Sequence, residues 1–203
     1  AFSGQIMSNE DSFDIYMIAG EKDICLLRHF LTSYELFFHS KGKIYLWIWQ
    51  EHEYLLRSTQ LPQNLVLLFK DDVPELVEDD FRNQMYLKLT AHKYVASDWF
   101  WMPDADFLIT SSLRKDDFFS GEKPYWFYCD WRKVPENKWR QGSEKFVGHK
   151  IPQQFLDQPQ YVLSKKALKN LSNNYDLRKI LTEDYLAADQ VIYGFYAYKN
   201  FNA

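Results

Sequence analysis

Three apolar runs fall within the first seventy residues: FDIYMIAG at 13–20, GKIYLWIW at 42–49 and NLVLLF at 64–69. They are apolar at successive positions rather than at alternate ones. A strand of that kind must be covered on both faces, which is the condition of a central parallel strand. Between the first two runs, DICLLRHFLTSYELFF at 23–38 sets Ile24, Leu27, Phe30 or Leu31, Tyr34 and Phe38 at helical spacing, with Asp23 placed to cap the start. HEYLLRST at 52–59 reads as a short helix before the third run. Strand, helix, strand, helix, strand is the order of an α/β layer fold, whose ligands sit beyond the carboxyl ends of the strands.

The chain of 203 residues is long enough for one domain with a real core and short for two. Residues 1–12 are polar and expected to be flexible. Aromatic residues make up 18% of the chain, more than one core easily holds, so some rings are expected at the surface or in a cleft. The net charge of −4 argues against a nucleic-acid binder, which would carry a basic footprint. It leaves room for a nucleotide held through a metal ion, because the cation brings positive charge.

Cys25 and Cys129 lie far apart among apolar neighbours and are expected to be buried free thiols, consistent with a reducing cytoplasm. No segment approaches the roughly 18 apolar residues of a membrane span. AFSGQIMSNEDS at the start has neither a basic region nor an apolar core, so no signal peptide is expected. A chain opening on Ala rather than Met is expected to be a piece of a longer polypeptide.

EDDFRNQMYLKLTAHKYVAS at 78–97 predicts a helix capped by Asp79 or Asp80. Phe81, Met85 and Leu89 form its core face, and Gln84, Lys88 and His92 share another. It leads into WFWMPDADFLI at 99–109, where Asp104 and Asp106 interrupt a run that otherwise reads as a buried strand. On an extended backbone, residues two apart point the same way, so both carboxylates can aim at one point. Buried together they would repel, unless a hard divalent cation such as Mg²⁺ or Mn²⁺ neutralised them. An acidic turn with Asp capping backbone N–H groups is the alternative.

Beyond residue 110 the pattern loosens. YWFYC at 125–129 and QYVLS at 160–164 read as strands, and residues 130–155 as a long functional loop. SKKALKNLSNN at 164–174 predicts a helix capped by Ser164. TEDYLAADQVIYGFYAY at 182–198 predicts another, capped by Thr182.

DADFLI after WFWM resembles the DxD motif of GT-A-fold glycosyltransferases. FDIYMIAGEKDICLLRHFLTSYELF is similar to their first strand and nucleotide-facing loop. RNQMYLKLTAHKYVASDWFWMPDADFLI, QYVLSKKAL and ADQVIYGFY are similar to blocks of poorly characterised bacterial members that serve surface polysaccharides. The resemblance covers scattered blocks from about 13 to 198, and only the DxD is a compact signature. It implies a GT-A-like, Rossmann-related single domain, with a mixed, mostly parallel sheet flanked by helices. Residues 13–110 would be its nucleotide-sugar-binding half and 111–203 its acceptor-binding and catalytic half.

The resemblance further implies a metal-dependent, hexosyltransferase-like enzyme using Mn²⁺ or Mg²⁺. Its donor would be a nucleotide-diphosphate sugar, with UDP favoured, and its acceptor a glycan or lipid-linked sugar. It would act in the cytoplasm or at the inner face of the plasma membrane. Asp106 would be the direct metal ligand, and Asp104 would contact the ribose or the metal shell. Ala19, Gly20 and Asp23 would lie near base and ribose; Arg82, Gln84 and Lys88 would face the phosphates or sugar. A solvated helix face is the other reading of Gln84 and Lys88.

If configuration is inverted, a base must take the acceptor proton, and the candidates are Glu183, Asp184 and Asp189. TED resembles the acid motif of inverting members and favours Asp184, whereas ADQVIYG favours Asp189. On one helix, five residues turn about 140° beyond a full circle, so the two cannot share a substrate. In a first helical turn Asp184 would be held ionised and weakened as a base, which favours Asp189. If configuration is retained, neither need act as a base. His149, in VGHK, matches no late metal-ligand motif and reads as a solvated loop residue. Trp126, Trp131 and Trp139 are candidates for a sugar platform, with core packing preferred for Trp126. The rival functions are a sugar nucleotidyltransferase, against which the single glycine of MIAGEKD counts, and a non-catalytic carbohydrate-binding module.

Overall fold

The computed structural model describes residues 12–57, 59–130, 138–155 and 161–201. Trp131 and nearly all of the amino-terminal segment lie outside them.

The chain begins with strand β1 (Phe13–Ile18), helix α1 (Glu21–Phe37) and strand β2 (Lys41–Ile48). A 3₁₀ helix at Gln50–Leu56 stands where a short helix is expected, followed by strand β3 (Leu65–Phe69). Helix α2 (Asp80–Leu89) then leads to strand β4 (Trp99–Trp101). Two small ribbons follow, one of β5 (Phe119–Ser120) with β6 (Lys123–Pro124), the other of β7 (Cys129–Asp130) with β8 (Gln153–Gln154). Helix α3 (Lys138–Val147) lies between β7 and β8. Strand β9 (Val162–Ser164) and helices α4 (Lys165–Asn174), α5 (Lys179–Thr182) and α6 (Asp189–Phe201) complete the fold.

The main sheet has the order β3-β2-β1-β4-β9. Its first four strands run parallel, and β9 joins antiparallel to β4, pairing Trp101 with Val162 and Trp99 with Ser164. The protein is thus a mixed α/β fold with a mostly parallel central sheet flanked by helices. β1 shows why the first apolar run tolerates no polar face. Phe13, Ile15, Met17 and Ala19 pack with Ile24, Leu27, Phe30 and Tyr34 of α1. Tyr16 and Ile18 point to the opposite face, in the cluster that holds Met85 and Leu89 of α2, Leu168 of α4 and Val191 of α6. Successive side chains alternate between two buried layers.

The strand order has a functional consequence. From β1 the chain moves outward to β2 and β3, then returns through α2 to place β4 on the other side of β1. α1 covers one face and α2 the other. At such a reversal the connections leave β1 and β4 in opposite directions, and a crevice opens beyond their carboxyl ends.

Several expectations are corrected. Residues 130–155 are not all loop, since α3 buries Ser143, Phe146 and Val147 along one side. Of 125–129 only Cys129 belongs to a strand, and Tyr125, Phe127 and Tyr128 are exposed. Cys25 and Cys129 are exposed free thiols, because Cys25 lies on the outer side of α1 and Cys129 in a two-residue edge ribbon. Helix 182–198 divides. α5 ends at Thr182, and α6 starts at Asp189 after an irregular connection. Among the described residues, no helix is long and apolar enough to cross a membrane.

Candidate active site

A cleft of about 830 Å³ opens at the crevice between β1 and β4. Ile18, Gly20, Lys22 and Asp23 bring the end of β1 and the first turn of α1 to it. Asp80, Phe81, Gln84, Met85 and Lys88 come from α2, and Asp104, Ala105 and Asp106 follow β4. Trp139 of α3 and Ala188, Asp189 and Gln190 at the start of α6 close the far wall. Both halves of the chain thus contribute.

Gly20 turns β1 into α1, and its N–H donates to the Asp23 carboxylate over 3.4 Å. A Cβ there would stand 3.3 Å from Asp23 Oδ2 and 3.6 Å from Asp80 Oδ2, so a side chain would intrude between these acids. Asp79 caps α2, accepting from the N–H groups of Phe81 and Arg82 at 3.1 and 3.2 Å. This fixes α2 so that Gln84 and Lys88, one turn apart, face the cleft.

Asp104 and Asp106 meet at the cleft by a route other than the expected one. β4 ends at Trp101, and Asp104 to Phe107 form a turn closed by the Phe107 N–H donating to the Asp104 carbonyl over 3.2 Å. The pair is exposed rather than buried, because Pro103 ends ladder pairing before the acids begin. Neither side chain is used to cap the turn. Lys88 Nζ donates to Asp104 Oδ1 over 3.0 Å. Burial alone would lower the ammonium's pKa, but Asp189, Asp104 and Asp106 together hold it above the ordinary lysine value.

The buried carboxylate is Asp189, 3% exposed. Its Oδ2 lies inside the protein, shielded from solvent. Burial pushes its pKa up, Lys88 opposes that rise and Asp104 reinforces it. The Tyr161 hydroxyl, also buried, lies beside Asp189: burial raises its pKa, and the Asp189 charge and a hydrogen bond to that carboxylate raise it further. α3 sets this corner. Ser143 Oγ accepts the Ala188 N–H at 3.0 Å, and a Cβ on Gly142 would fall 1.8 Å from the Leu186 carbonyl oxygen. The close approach that only glycine permits brings α3 and the start of α6 together.

Four expected site residues lie elsewhere. Ala19 is fully buried, its N–H donating to the Trp47 carbonyl at 2.9 Å, because β1 continues pairing through it. Arg82 turns away from the cleft, paired with Asp79 at 3.2 Å and donating to the carbonyls of Ile180 and Glu183. Glu183 and Asp184 are exposed in the connection between α5 and α6, outside any helix. The position at a helix start, expected of Asp184, belongs to Asp189.

Trp126 packs against Tyr161 and Tyr193 and donates to the Val162 carbonyl, as core packing predicts. Trp139 stands in the cleft wall with its ring 4.5 Å from that of Phe81. His149 is exposed. Sequence patterning missed the support behind Asp80. The buried Lys70 ammonium reaches Asp80 Oδ1 at 2.8 Å and lies over the Trp49 ring, whose Nε1 donates to the same oxygen at 3.2 Å. A lysine ending the run NLVLLF was the available signal, since buried lysines need an anion.

Six carboxylates line the cleft (Glu21, Asp23, Asp80, Asp104, Asp106 and Asp189) against the cations Lys22 and Lys88. Among the described residues, no group of three or more His, Cys, Asp or Glu side chains is arranged to hold a metal unaided. The excess of hard oxygen donors nonetheless fits a divalent cation whose shell is completed by an anionic ligand and water. No protein-family model matches this chain, and no curated protein matches it.

Proposed function

We propose that the protein is a metal-dependent glycosyltransferase of the GT-A type. It would transfer a sugar from a nucleotide-diphosphate donor, UDP-linked by preference, to a glycan or lipid-linked acceptor of a bacterial surface polysaccharide. One observation carries the reading. The crevice at the strand-order reversal joins a paired-carboxylate turn to the buried carboxylate of Asp189.

Asp104 and Asp106 would hold Mn²⁺ or Mg²⁺ at the donor's diphosphate. When bound, the ion supplies Lewis-acid stabilisation of the leaving oxygen. The first turn of α1 at Gly20 and Asp23 would receive base and ribose. Gln84 would hydrogen-bond the sugar, and Trp139 offers a flat apolar wall to a sugar face.

In an inverting reaction the acceptor hydroxyl oxygen forms a bond to the anomeric carbon as the bond from that carbon to the diphosphate oxygen breaks. The electron pair leaves with the diphosphate, and the hydroxyl proton passes to Asp189. Burial raises the pKa of Asp189, which suits a carboxylate to act as a base, and of the three candidate acids it is the one that lines the cleft.

Calorimetry with a panel of nucleotide sugars, with and without Mn²⁺, tests the assignment. Metal-dependent binding of diphosphate sugars supports it. Preference for nucleoside triphosphates points to a nucleotidyltransferase, and glycan binding without nucleotide points to a carbohydrate-binding module. Donor hydrolysis by the protein, lost in Asp106→Asn, is the expected catalytic result.

A further inference from the structure

Lys88 bears on how a metal enters this cleft. Its ammonium is largely buried, donates to Asp104 Oδ1 at 3.0 Å and lies in the fields of Asp106 and Asp189. The cation nearest the carboxylate turn is therefore part of the protein. A lysine that only braced the turn would need one carboxylate, and this one shares the cleft with three, Asp104, Asp106 and Asp189. An ammonium and a divalent ion at the same carboxylate repel each other strongly at such range in a partly buried site.

We propose that Lys88 is a resident counter-ion that a divalent metal must displace from Asp104, so that it sets the metal affinity of the free protein and makes tight loading depend on the anionic donor. The displaced ammonium has two destinations, the Asp189 carboxylate or the diphosphate itself. In the free protein the metal competes with Lys88 and binds weakly. With diphosphate present the ammonium gains a new anion, and metal and diphosphate bind cooperatively. The proposal rests on the metal-binding reading of Asp104 and Asp106.

The test is a Mn²⁺ titration of the whole 203-residue chain, followed by the electron paramagnetic resonance of free Mn²⁺, without and then with UDP. Lys88→Met is expected to bind Mn²⁺ about threefold to tenfold more tightly than wild type without UDP, the range of one partly screened ion pair. It is also expected to lose most of the enhancement that UDP brings. Lys88→Met added to Asp104→Asn should bring a clearly smaller gain in Mn²⁺ affinity, because the direct competition runs through Asp104 and only the repulsion between ammonium and ion is left.

Unchanged or weaker Mn²⁺ binding in Lys88→Met overturns the proposal, as does an equal gain in the Asp104→Asn background. If Lys88→Met does not fold, wild-type protein labelled with ¹⁵N at lysine decides. Mg²⁺ should move the ammonium signal that is missing in Lys88→Arg, and an unmoved signal at saturating Mg²⁺ overturns the proposal. The underlying reading fails separately: if Asp104→Asn and Asp106→Asn both bind Mn²⁺ as wild type does, the metal site itself is wrong.

Discussion

Asp14 and Asp189 are each 3% exposed and stand at opposite ends of the central sheet. Asp14, at the start of β1, accepts from the N–H groups of Lys43 at 2.9 Å, Ala96 at 3.1 Å and Ser97 at 2.9 Å. It stitches β1 to β2 and to the approach of β4, and both its oxygens are used. Asp189, at the cleft, faces the buried Tyr161 hydroxyl and a lysine that is bonded to another acid. A buried charge with all of its bonds made holds a fold together. A buried charge that burial and a neighbouring acid both oppose is a burden on the fold, and such groups concentrate where a protein binds or reacts.

Substitution should separate the two most sharply in activity. Asp189→Asn is expected to lower turnover by roughly a hundredfold to ten-thousandfold, the range of a lost general base. Folding stability should stay level or rise, because a neutral amide replaces a desolvated carboxylate. Turnover in a donor-transfer assay, together with urea unfolding, checks both. A loss of stability without a loss of turnover would place Asp189 in the same class as Asp14.

Asp14→Ala should do the opposite. Three backbone N–H groups lose their acceptor, and stability should fall by about 2–4 kcal/mol. Turnover per folded molecule should be unchanged, since Asp14 lies at the amino end of the sheet and the cleft at the other. Urea unfolding and an active-site-normalised rate are the measurements. A loss of turnover beyond the loss of folded protein would show that the two ends of the sheet are coupled.

The pH dependence sharpens the contrast further. Asp189 has a raised pKa in the folded protein, so over the window from the ordinary carboxylate range up to that value the native state holds a proton that the unfolded chain has released. Stability from this group is therefore present at low pH and is lost as pH rises through the folded pKa, by at most about 1.4 kcal/mol per pH unit. Turnover should rise across the same window, as the base becomes available. Asp189→Asn should flatten the contribution to both curves. Unfolding free energies and rates measured at matched pH values decide it.

The amino-terminal half was legible because its signals are local. Runs such as FDIYMIAG state their two-sided burial in nearly every residue, Asp14 apart, and Asp79 stands one residue before the helix it caps. Lys88 and Gln84 were readable as one helix face, and DxD marked the turn after β4, although not its conformation. The carboxyl-terminal half resisted because its order is set by contacts distant in sequence. Whether α6 begins at Thr182 or Asp189 depends on Ser143 accepting the Ala188 N–H and on the contact of Gly142 with Leu186. No periodicity within 182–198 carries that information. The same contacts bury Asp189 and expose Asp184, which is why two acids that look alike in the sequence differ in the fold. Arg82 shows a similar limit: its partners at Ile180 and Glu183 are nearly a hundred residues away.

The smallest expected effect concerns Trp139, for which the proposed function combines the two roles, structural and functional, that it divides between the two aspartates. Its ring packs on Phe81 and also forms the cleft wall. Trp139→Ala should raise KM for the sugar substrate by roughly threefold to tenfold, the worth of one aromatic stacking contact, and leave kcat within about twofold. A modest stability loss should accompany it, because Phe81 loses its partner. Trp139→Phe keeps an apolar ring for Phe81 and a smaller face for the sugar, so stability should recover more than KM does. Steady-state kinetics and thermal unfolding on the same preparations separate the two roles. If KM and stability recover in parallel, Trp139 acts on the cleft only by holding Phe81 in place, and the wall it forms has no separate hold on the sugar.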